Sequence, residues 1–318
     1  MTAARRTAAD LFALPALWVL VAVGVVFAAL TPKFLTPDNL LNVLSQSAAV
    51  GVVATGMTFV LLTAGIDLSV GAVMFVGAAA CGWLIGAGAP WWAGALALLA
   101  VGPTAGLVHG GAVARLRVTP FVVTLSSLFV LRGLGLWVSR TRAMNLPDEF
   151  RQLAAGTVLG VPVPVVVFGV VLVAGQWVLS MTRFGRHVYA VGHDPGAARK
   201  AGVSVPGVLV AVYTLSGLCA AVGGLVALAQ LGAVSPTFGR EREFDAIAAA
   251  VLGGASLFGG RGNVLPGVLV GAVTIQAVYN GLNLLNANPY AYPVITGGVV
   301  FLAILADAVR ARLRGAAR

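Results

Sequence analysis

Long uninterrupted apolar blocks, each close to the length of a membrane-spanning helix, constrain this chain more than any other feature. The first block, Leu11 to Leu30, contains no ionisable side chain. A helix needs about 20 mostly apolar residues to cross a bilayer, so this block is long enough to span. It continues into Pro32 and Lys33 without the small-residue cleavage site of a secretory signal peptide. We therefore expect a retained first helix.

Further blocks of this kind follow along the 318 residues, and only 9% of the chain is charged, whereas a soluble domain has about 25% charged residues. The sequence therefore predicts an all-α, polytopic transmembrane helical bundle forming one domain over residues 1–318. About ten segments are predicted: 11–30, 42–63, 70–88, 91–113, 119–138, 160–181, 207–231, 244–258, 264–286 and 290–308. Segment 244–258 is short for a full span, so we expect a broken or re-entrant helix there.

The loops between these segments differ in their number of basic residues, which predicts orientation because cytoplasmic loops are rich in Lys and Arg. With the N-terminus inside, the inner side holds thirteen basic residues: Arg5, Arg6, Arg115, Arg117, Arg183, Arg186, Arg199, Lys200, Arg261, Arg310, Arg312, Arg314 and Arg318. The outer side holds six: Lys33, Arg140, Arg142, Arg151, Arg240 and Arg242. Both termini are therefore expected in the cytoplasm. Since these charges are scattered between apolar blocks, no nucleic-acid partner is expected.

Glycine spacing predicts tight packing of the bundle. Some of the 41 glycines recur every four residues, as in Gly82/Gly86, Gly102/Gly106/Gly110 and Gly267/Gly271. This spacing lets helix backbones approach closely in membranes. Glycine is also simply frequent in membrane helices, so for any one pair both explanations stay open.

The longest predicted inner loop, 182–205, contains a short helix with defined ends. Asp194 is a good N-cap residue, Pro195 suits the first helical position, and Gly202 can close the helix. Arg199 and Lys200 lie toward the negative end of its dipole. A short capped helix is suited to docking into another protein, although an ordinary inner loop would also explain the arginines.

Several stretches resemble a known family. The sequence GAARKAG at 196–202 is similar to the EAA-x-x-x-G coupling motif of ATP-binding-cassette import permeases, with Gly196 in place of the glutamate. More specific matches are LTAGIDLSVGAV at 62–73, TPFVVTLSSLFVLRGLGL at 119–136, EFDAIAAAVLGGASLFGGRGNVLPGVLVGA at 243–272 and YNGLNLL at 279–285. Together they resemble the ribose/galactose/xylose type of sugar permease, from about residue 35 to residue 308.

This resemblance implies a non-enzymatic permease subunit in the inner membrane of a prokaryote. It would pair with a second permease copy, bind cytoplasmic ATPase subunits that hold ATP and Mg, and receive a monosaccharide or small polyol from an external binding protein. The implied ATPase-coupling residues are Asp194, Pro195, Gly196, Ala197, Ala198, Arg199 and Gly202. The sequence agrees that the ATPase lies elsewhere, because a P-loop needs Gly-Lys-Ser/Thr and the only lysines are Lys33 and Lys200.

Two turns interrupt the apolar blocks. Because an aspartate at the centre of a membrane helix is costly, Asp67 is expected at a boundary or in a polar interior, as a cap for the helix beginning near Val70. Ser69 is an alternative cap, and a transmission role for this turn stays open. The second turn carries the pairs Gly253/Gly254 and Gly259/Gly260, which make a long regular helix unfavourable. The break that we expect there could line a pathway or end a segment as a plain turn.

Amides and hydroxyls are suitable ligands for a sugar, because they exchange hydrogen bonds with hydroxyl groups without imposing charge. Candidate pathway residues are Asn42, Gln46, Thr124, Gln276, Asn280 and Asn283, with Ser45 and Ser126 as further polar positions. Gln276, Asn280 and Asn283 are spaced so that one helical face can carry all three. The alternative role for such residues is hydrogen bonding between helices.

Two other functional classes were considered. An ion-coupled secondary transporter would place acidic residues or histidines in the membrane, and His109 is the intramembrane candidate, since the acids lie mainly at segment edges. A membrane enzyme is not supported, because Cys81 and Cys219 lack an evident histidine partner and no clustered metal-ligand pattern occurs. Arg132 falls within a predicted span, where it either snorkels to the surface or forms a structural pair.

Overall fold

The computed structural model describes the backbone of residues 15–316 and the side chains of 16–302 and 305. The helices in this part of the chain are α1 (Pro15–Leu30), α2 (Pro37–Leu62), α3 (Val70–Gly86), α4 (Trp91–Arg115), α5 (Pro120–Ser139), α6 (Asp148–Ala155), α7 (Val163–Met181), α8 (Arg183–His193), α9 (Pro195–Lys200), α10 (Val205–Leu231), α11 (Arg242–Leu252), α12 (Gly267–Leu284) and α13 (Ala291–Ala316). The predicted all-α fold is confirmed at this level.

Two very short antiparallel strand pairs accompany the helices. Strand β1 (Met144–Asn145) pairs with β4 (Ala233–Val234), with Met144 opposite Val234. Strand β2 (Thr157–Val158) pairs with β3 (Val161–Pro162). The first pair joins the segment after α5 to the end of α10, so it holds together loops that are far apart in sequence.

Six helices in the described part of the chain are long and apolar enough to cross a membrane: α2, α4, α5, α7, α10 and α12. Shorter apolar helices cover Ala16–Leu30, Val70–Gly86 and Ala291–Leu302. The predicted count of about ten spans is therefore not confirmed. The start of predicted segment 11–30 lies outside the described residues. Segment 244–258 is not one helix, because α11 ends at Leu252 and a glycine-rich loop follows it.

Helix α2 is the centre of the bundle. Every residue from Ser47 to Leu62 is buried, and a helix that is apolar on all sides is stable only when other elements surround it. Helices α7, α10, α11 and α12 pack around it. The exposed first turns of α2 and its buried second half therefore face different environments.

Helices α4 and α10 pack against each other in opposite directions through glycines. Gly102 lies against Gly217, Gly106 against the backbone of Tyr213, and Gly110 against Val210. At each point an added Cβ atom would run into the facing backbone. The glycine spacing in α4 thus has the predicted packing role, and so does the pair in α12, which meets α11. Gly86 has open space beside it.

We predict that Gly106→Leu destabilises the protein strongly and that Gly111→Leu does not. The first side chain would be directed into the backbone of α10, whereas nothing lies within 4 Å of a Cβ atom at Gly111. Overpacking a close contact typically costs about 1–3 kcal/mol. Thermal unfolding of both detergent-purified variants measures the difference, and equal midpoints would contradict the packing described for α4 and α10.

Candidate functional site

An open cavity of about 600 Å³ lies between the start of α2, α6, the end of α10, and the facing parts of α11 and α12. Polar side chains at its wall are Asn42, Ser45, Gln46, Arg151, Gln230, Arg242, Gln276 and Tyr279. The remaining wall consists of five alanines and Leu231. Its volume lies in the range of small-molecule sites, and its wall is made mainly of small apolar groups and amides.

The amides of this cavity form a connected chain. Gln276 Nε2 donates to Gln46 Oε1 at 2.6 Å, and Gln46 Nε2 donates to Asn42 Oδ1 at 2.8 Å. On the facing helix, Gln230 Nε2 donates to the carbonyl of Ser45 at 2.8 Å. Each amide has further donors or acceptors to offer. The wall can therefore exchange hydrogen bonds with a neutral ligand.

Charged groups at the cavity edge are paired. Arg242 Nη1 donates to Asp245 Oδ2 at 3.0 Å, and the Tyr279 hydroxyl donates to Asp245 Oδ1 at 2.9 Å. Arg151 lies 3.5 Å from Asp148, and both side chains are exposed. The carboxylate of Asp245 therefore offsets the charge of Arg242 and also fixes the position of Tyr279.

The structure brings together only part of the predicted pathway set. Asn42, Gln46 and Gln276 line the cavity, as does Ser45. Asn280 instead exchanges two hydrogen bonds with Asn39, at 2.9 and 3.0 Å, and so joins α12 to the first turn of α2. For Asn280 the alternative of hydrogen bonding between helices describes the geometry.

The other predicted pathway residues lie away from the cavity wall. Thr124 is buried and donates to the carbonyls of Ile66 and Pro120 at 3.2 and 3.0 Å. Asn283 and Ser126 are exposed and do not line the cavity. The spacing of Gln276, Asn280 and Asn283 placed them on one helical face. Along that face, however, Gln276 lines the cavity, Asn280 bonds to α2 and Asn283 is exposed.

Four polar residues of the cavity were missed by the sequence-based prediction: Arg151, Gln230, Arg242 and Tyr279. The sequence placed Arg242 only among the basic residues of the outer side. Gln230 did carry a signal, because it is the one amide in the apolar sequence of α10. Arg151, Arg242 and Tyr279 come from three separate helices, so only the fold brings them together.

The opposite end of α2 lies beside α8 and α9, and both helices are capped. Thr182 Oγ1 accepts from the Gly185 amide at 3.1 Å. Asp194 Oδ1 accepts from the amides of Gly196 and Ala197 at 2.7 and 3.0 Å. Gly202 follows α9 with a φ of +82°, which glycine adopts without strain. The predicted capped helix, with Pro195 in its first turn, is confirmed.

One of the implied coupling residues is not available to a partner in this structure. Ala198 is only 4% exposed and belongs to the core of this chain. The other residues of α9 are exposed: Pro195, Gly196, Ala197, Arg199 and Lys200. The free face of α9 is therefore the face opposite Ala198.

The turn between α2 and α3 holds a buried carboxylate. Asp67 is 1% exposed; its Oδ1 accepts from the Ser69 amide at 3.0 Å and the Ser69 hydroxyl at 2.6 Å, and its Oδ2 accepts from the Ser216 hydroxyl at 2.8 Å. Ser69 occupies the N-cap position of α3, as one of the two alternatives had it, but its side chain makes no capping hydrogen bond. Asp67 instead lies in the polar interior that the sequence allowed and ties the turn to α10.

The predicted break at the glycine pairs is confirmed. Gly253 ends α11, and Gly254, Gly259 and Gly260 have positive φ angles. The Gly260 amide donates to the carbonyl of Leu62 at 2.9 Å, which joins this loop to the end of α2. The break therefore lies beside α8 and α9 and not at the cavity.

Arg132 makes structural contacts. Its Nη1 donates to the carbonyl of Phe238 at 2.7 Å, and its guanidinium lies 5.1 Å from the ring centroid of Phe75. Such cation–π contacts stabilise a partly desolvated guanidinium. Of the two alternatives left open for Arg132, the structure supports internal contacts.

Apolar helices of spanning length, a polar cavity at one end of a central helix and a capped helix at its other end define a multi-pass membrane protein of the transport class. The chain belongs to the family described as the branched-chain amino acid transport system / permease component, whose model matches residues 39–305.

Individual relatives are similar in sequence to this chain along most of their length. The chain is 39% identical over 297 residues to the ribose import permease protein of Escherichia coli strain K12, covering 92% of this chain and 91% of that protein. It is 34% identical to the D-allose transport system permease protein of the same strain, covering 91% and 90%. It is 36% identical to the fructose import permease protein of Rhizobium meliloti, covering 91% and 82%. The resemblance inferred from the motifs is confirmed.

We predict that acidification loosens the start of α9. Hydrogen bonds from the Ala197 and Gly196 amides lower the pKa of the Asp194 carboxyl, so this group stabilises the helix above its unfolded pKa and stops doing so as the pH falls through its folded pKa. Hydrogen exchange of 195–202, corrected for intrinsic rates, should therefore accelerate below about pH 4. Asp194→Asn keeps a neutral cap and should remove this pH dependence; equal behaviour of both proteins would contradict the assignment.

Proposed function

We propose that this chain is the permease subunit of an ATP-driven importer that moves a monosaccharide or related small polyol into the cytoplasm. The observation that carries the proposal is the cavity lined by Asn42, Gln46, Gln230 and Gln276. A sugar presents neutral hydroxyl groups that both donate and accept, and primary amides do the same. The ribose, D-allose and fructose permeases named above support this substrate class.

A branched-chain amino acid is the second substrate class to consider, because the family description names it. Such a ligand is a zwitterion with a branched apolar side chain. It would need an accessible charge for its carboxylate and a large apolar pocket. In the cavity, Arg242 is paired with Asp245 and Arg151 lies 3.5 Å from Asp148, and the apolar wall is mostly alanine. The amide chain therefore favours a polyhydroxylated ligand.

The ion-coupled alternative receives less support. Asp67 is buried inside the bundle, contrary to the expectation that acids lie mainly at segment edges. However, both of its oxygens accept hydrogen bonds from serines, as expected for a structural carboxylate. His109 Nδ1 lies 3.3 Å from the hydroxyl of Ser69 within the same network. None of the residues in this cluster lines the polar cavity.

A second permease copy is expected to complete the pathway. Asn42, Gln46 and Asn283 are exposed on helices apolar enough to cross the bilayer. An amide facing lipid would lack hydrogen-bond partners, so these side chains are expected to face water or another subunit. Pairing two copies across this face would enclose the cavity.

The two remaining partners are expected to bind at opposite ends of α2. A cytoplasmic ATPase that binds ATP and Mg is expected to contact the exposed face of α9, and an external sugar-binding protein is expected to deliver substrate at the cavity. We place the α9 end in the cytoplasm and both termini with it, in the inner membrane of a prokaryote. The excess of Lys and Arg on that side supports this orientation.

We predict that Gln276→Leu impairs uptake without unfolding the protein. The change removes the Gln276–Gln46 hydrogen bond and a ligand donor, and one such bond is worth about 0.5–1.5 kcal/mol, so the apparent KM should rise about 2- to 13-fold. Uptake of labelled ribose, allose, fructose and leucine by cells carrying the complete importer is measured together with membrane abundance.

Asn280→Leu is the matched control for Gln276→Leu, because Asn280 lies one turn further along α12 and, among the described residues, its side chain bonds to Asn39. This variant should lower thermal stability and abundance while leaving the KM of the remaining protein unchanged. An unchanged KM for Gln276→Leu, or a preference for leucine over all three sugars, would refute the proposed pathway and substrate class.

We predict that, in intact cells, His193→Cys is labelled by a membrane-permeant thiol reagent and not by an impermeant one, whereas Arg151→Cys is labelled by the impermeant reagent. Both side chains are exposed. The native Cys81 and Cys219 are buried, so background labelling in intact cells should be low. External labelling at position 193 would reverse the proposed orientation.

A further inference from the structure

The loop between α11 and α12 presents a large aromatic side chain at its tip. The Phe258 side chain is 91% exposed, and that of Leu257 is 42% exposed. The amide of Ser256 donates to the carbonyl of Arg261 at 2.9 Å, which closes the base of the loop. The Phe258 amide donates to Ser256 Oγ at 3.1 Å. We call residues 256–261 the tip loop.

The tip loop is firmly held by neighbouring elements. The Gly260 amide donates to the carbonyl of Leu62 at the end of α2, and the Tyr189 hydroxyl of α8 donates to the carbonyl of Gly262 at 2.7 Å. Gly259 lies so close to the carbonyl of Gly192 that an added Cβ atom would contact it. The aromatic ring therefore projects from an anchored backbone.

The tip loop lies beside the junction of α8 and α9. Gly260 packs against His193, the residue before the Asp194 cap, and His193, Arg199 and Arg261 are all exposed. An exposed aromatic ring among such polar and cationic residues does not match a lipid-facing surface, which is apolar. The tip loop and the start of α9 therefore meet at His193.

We propose that Phe258 is a second docking anchor, which inserts into an apolar pocket of the cytoplasmic ATPase next to the contact made by α9. This inference rests on the proposed function, because it takes α9 as the first contact. Aromatic residues in the centre of interfaces commonly dominate binding energy. A ring on an anchored loop also loses little conformational freedom on binding.

A contact at Phe258 would act on different helices from a contact at α9. The tip loop joins α11 to α12, which carry Arg242, Gln276 and Tyr279 of the cavity wall. Helix α9 joins α8 to α10, which carries Gln230. With two anchors, the ATPase would therefore act on α11 and α12 through the tip loop and on α10 through α9, which form different parts of the cavity wall.

The first test is photo-crosslinking in the complete importer, with p-benzoylphenylalanine placed at position 258 in one variant and at position 199 in another. Crosslinks to the ATPase from both positions are expected. A crosslink from position 199 alone would overturn the anchor while leaving the proposed function intact. Crosslinks from neither position would remove the proposed function as well, and crosslinks from position 258 to lipid alone would make Phe258 a membrane-interface residue.

The second test compares Phe258→Ala with Phe129→Ala. Phe129 is 68% exposed on α5, far in sequence from α9. Phe129→Ala therefore removes the same side chain as Phe258→Ala but outside the proposed docking surface. Phe258→Ala should lower co-purification of the ATPase about 10-fold or more, as expected for a dominant interface residue, with unchanged thermal stability. Phe258→Leu should recover part of the binding. Normal ATPase association and uptake by Phe258→Ala would overturn the proposal.

Discussion

Within a bilayer no water is available to pair with a backbone amide or carbonyl, so each group must find its partner in the protein. Helix α2 meets this requirement along its buried length, but the chain then leaves helical geometry at 63–69. There the Gly65 amide donates back to the carbonyl of Val60. The carbonyl of Ile66 accepts from Thr124 at 3.2 Å and from Tyr213 at 3.5 Å. Neighbouring helices thus make this interruption possible.

The same requirement connects the turn after α2 with the glycine-rich loop after α11. The carbonyl of Leu62, at the end of α2, has no partner further along its own helix and accepts from the amide of Gly260 instead. The loop after α11 is thereby fixed against the turn after α2. Glycine is needed at this junction because a Cβ atom at Gly192 would run into the carbonyl of Leu62, and one at Gly259 into the carbonyl of Gly192. The surface around α9 consequently has a rigid base.

The sequence predicted features that depend on neighbouring residues, such as helix ends, but it did not predict how the helices pack against one another. The ends of α9 followed from Asp194 and Gly202, because capping depends on residues within one turn. The burial of Ala198 depends on how α9 packs against its neighbours, which no local pattern encodes. Likewise, Gln46 and Gln276 were identifiable as polar groups in apolar segments, whereas Tyr279 belongs to the cavity only because α11 and α12 place it beside Asp245.

Close backbone contacts decide which parts of the cavity wall can move independently. Gly253 lies against Gly267, and Gly271 lies against the backbone of Ala249, so α11 and α12 pack too closely to slide without separating. They carry one part of the cavity wall as a unit. Side-chain hydrogen bonds link this unit to α2: Asn280 exchanges two with Asn39, and at the cavity Gln276 donates to Gln46, a bond that can exchange for one to a ligand at little cost. In the proposed importer the cavity would therefore open between α2 and α12, where amides meet, and not between α11 and α12, where glycines do.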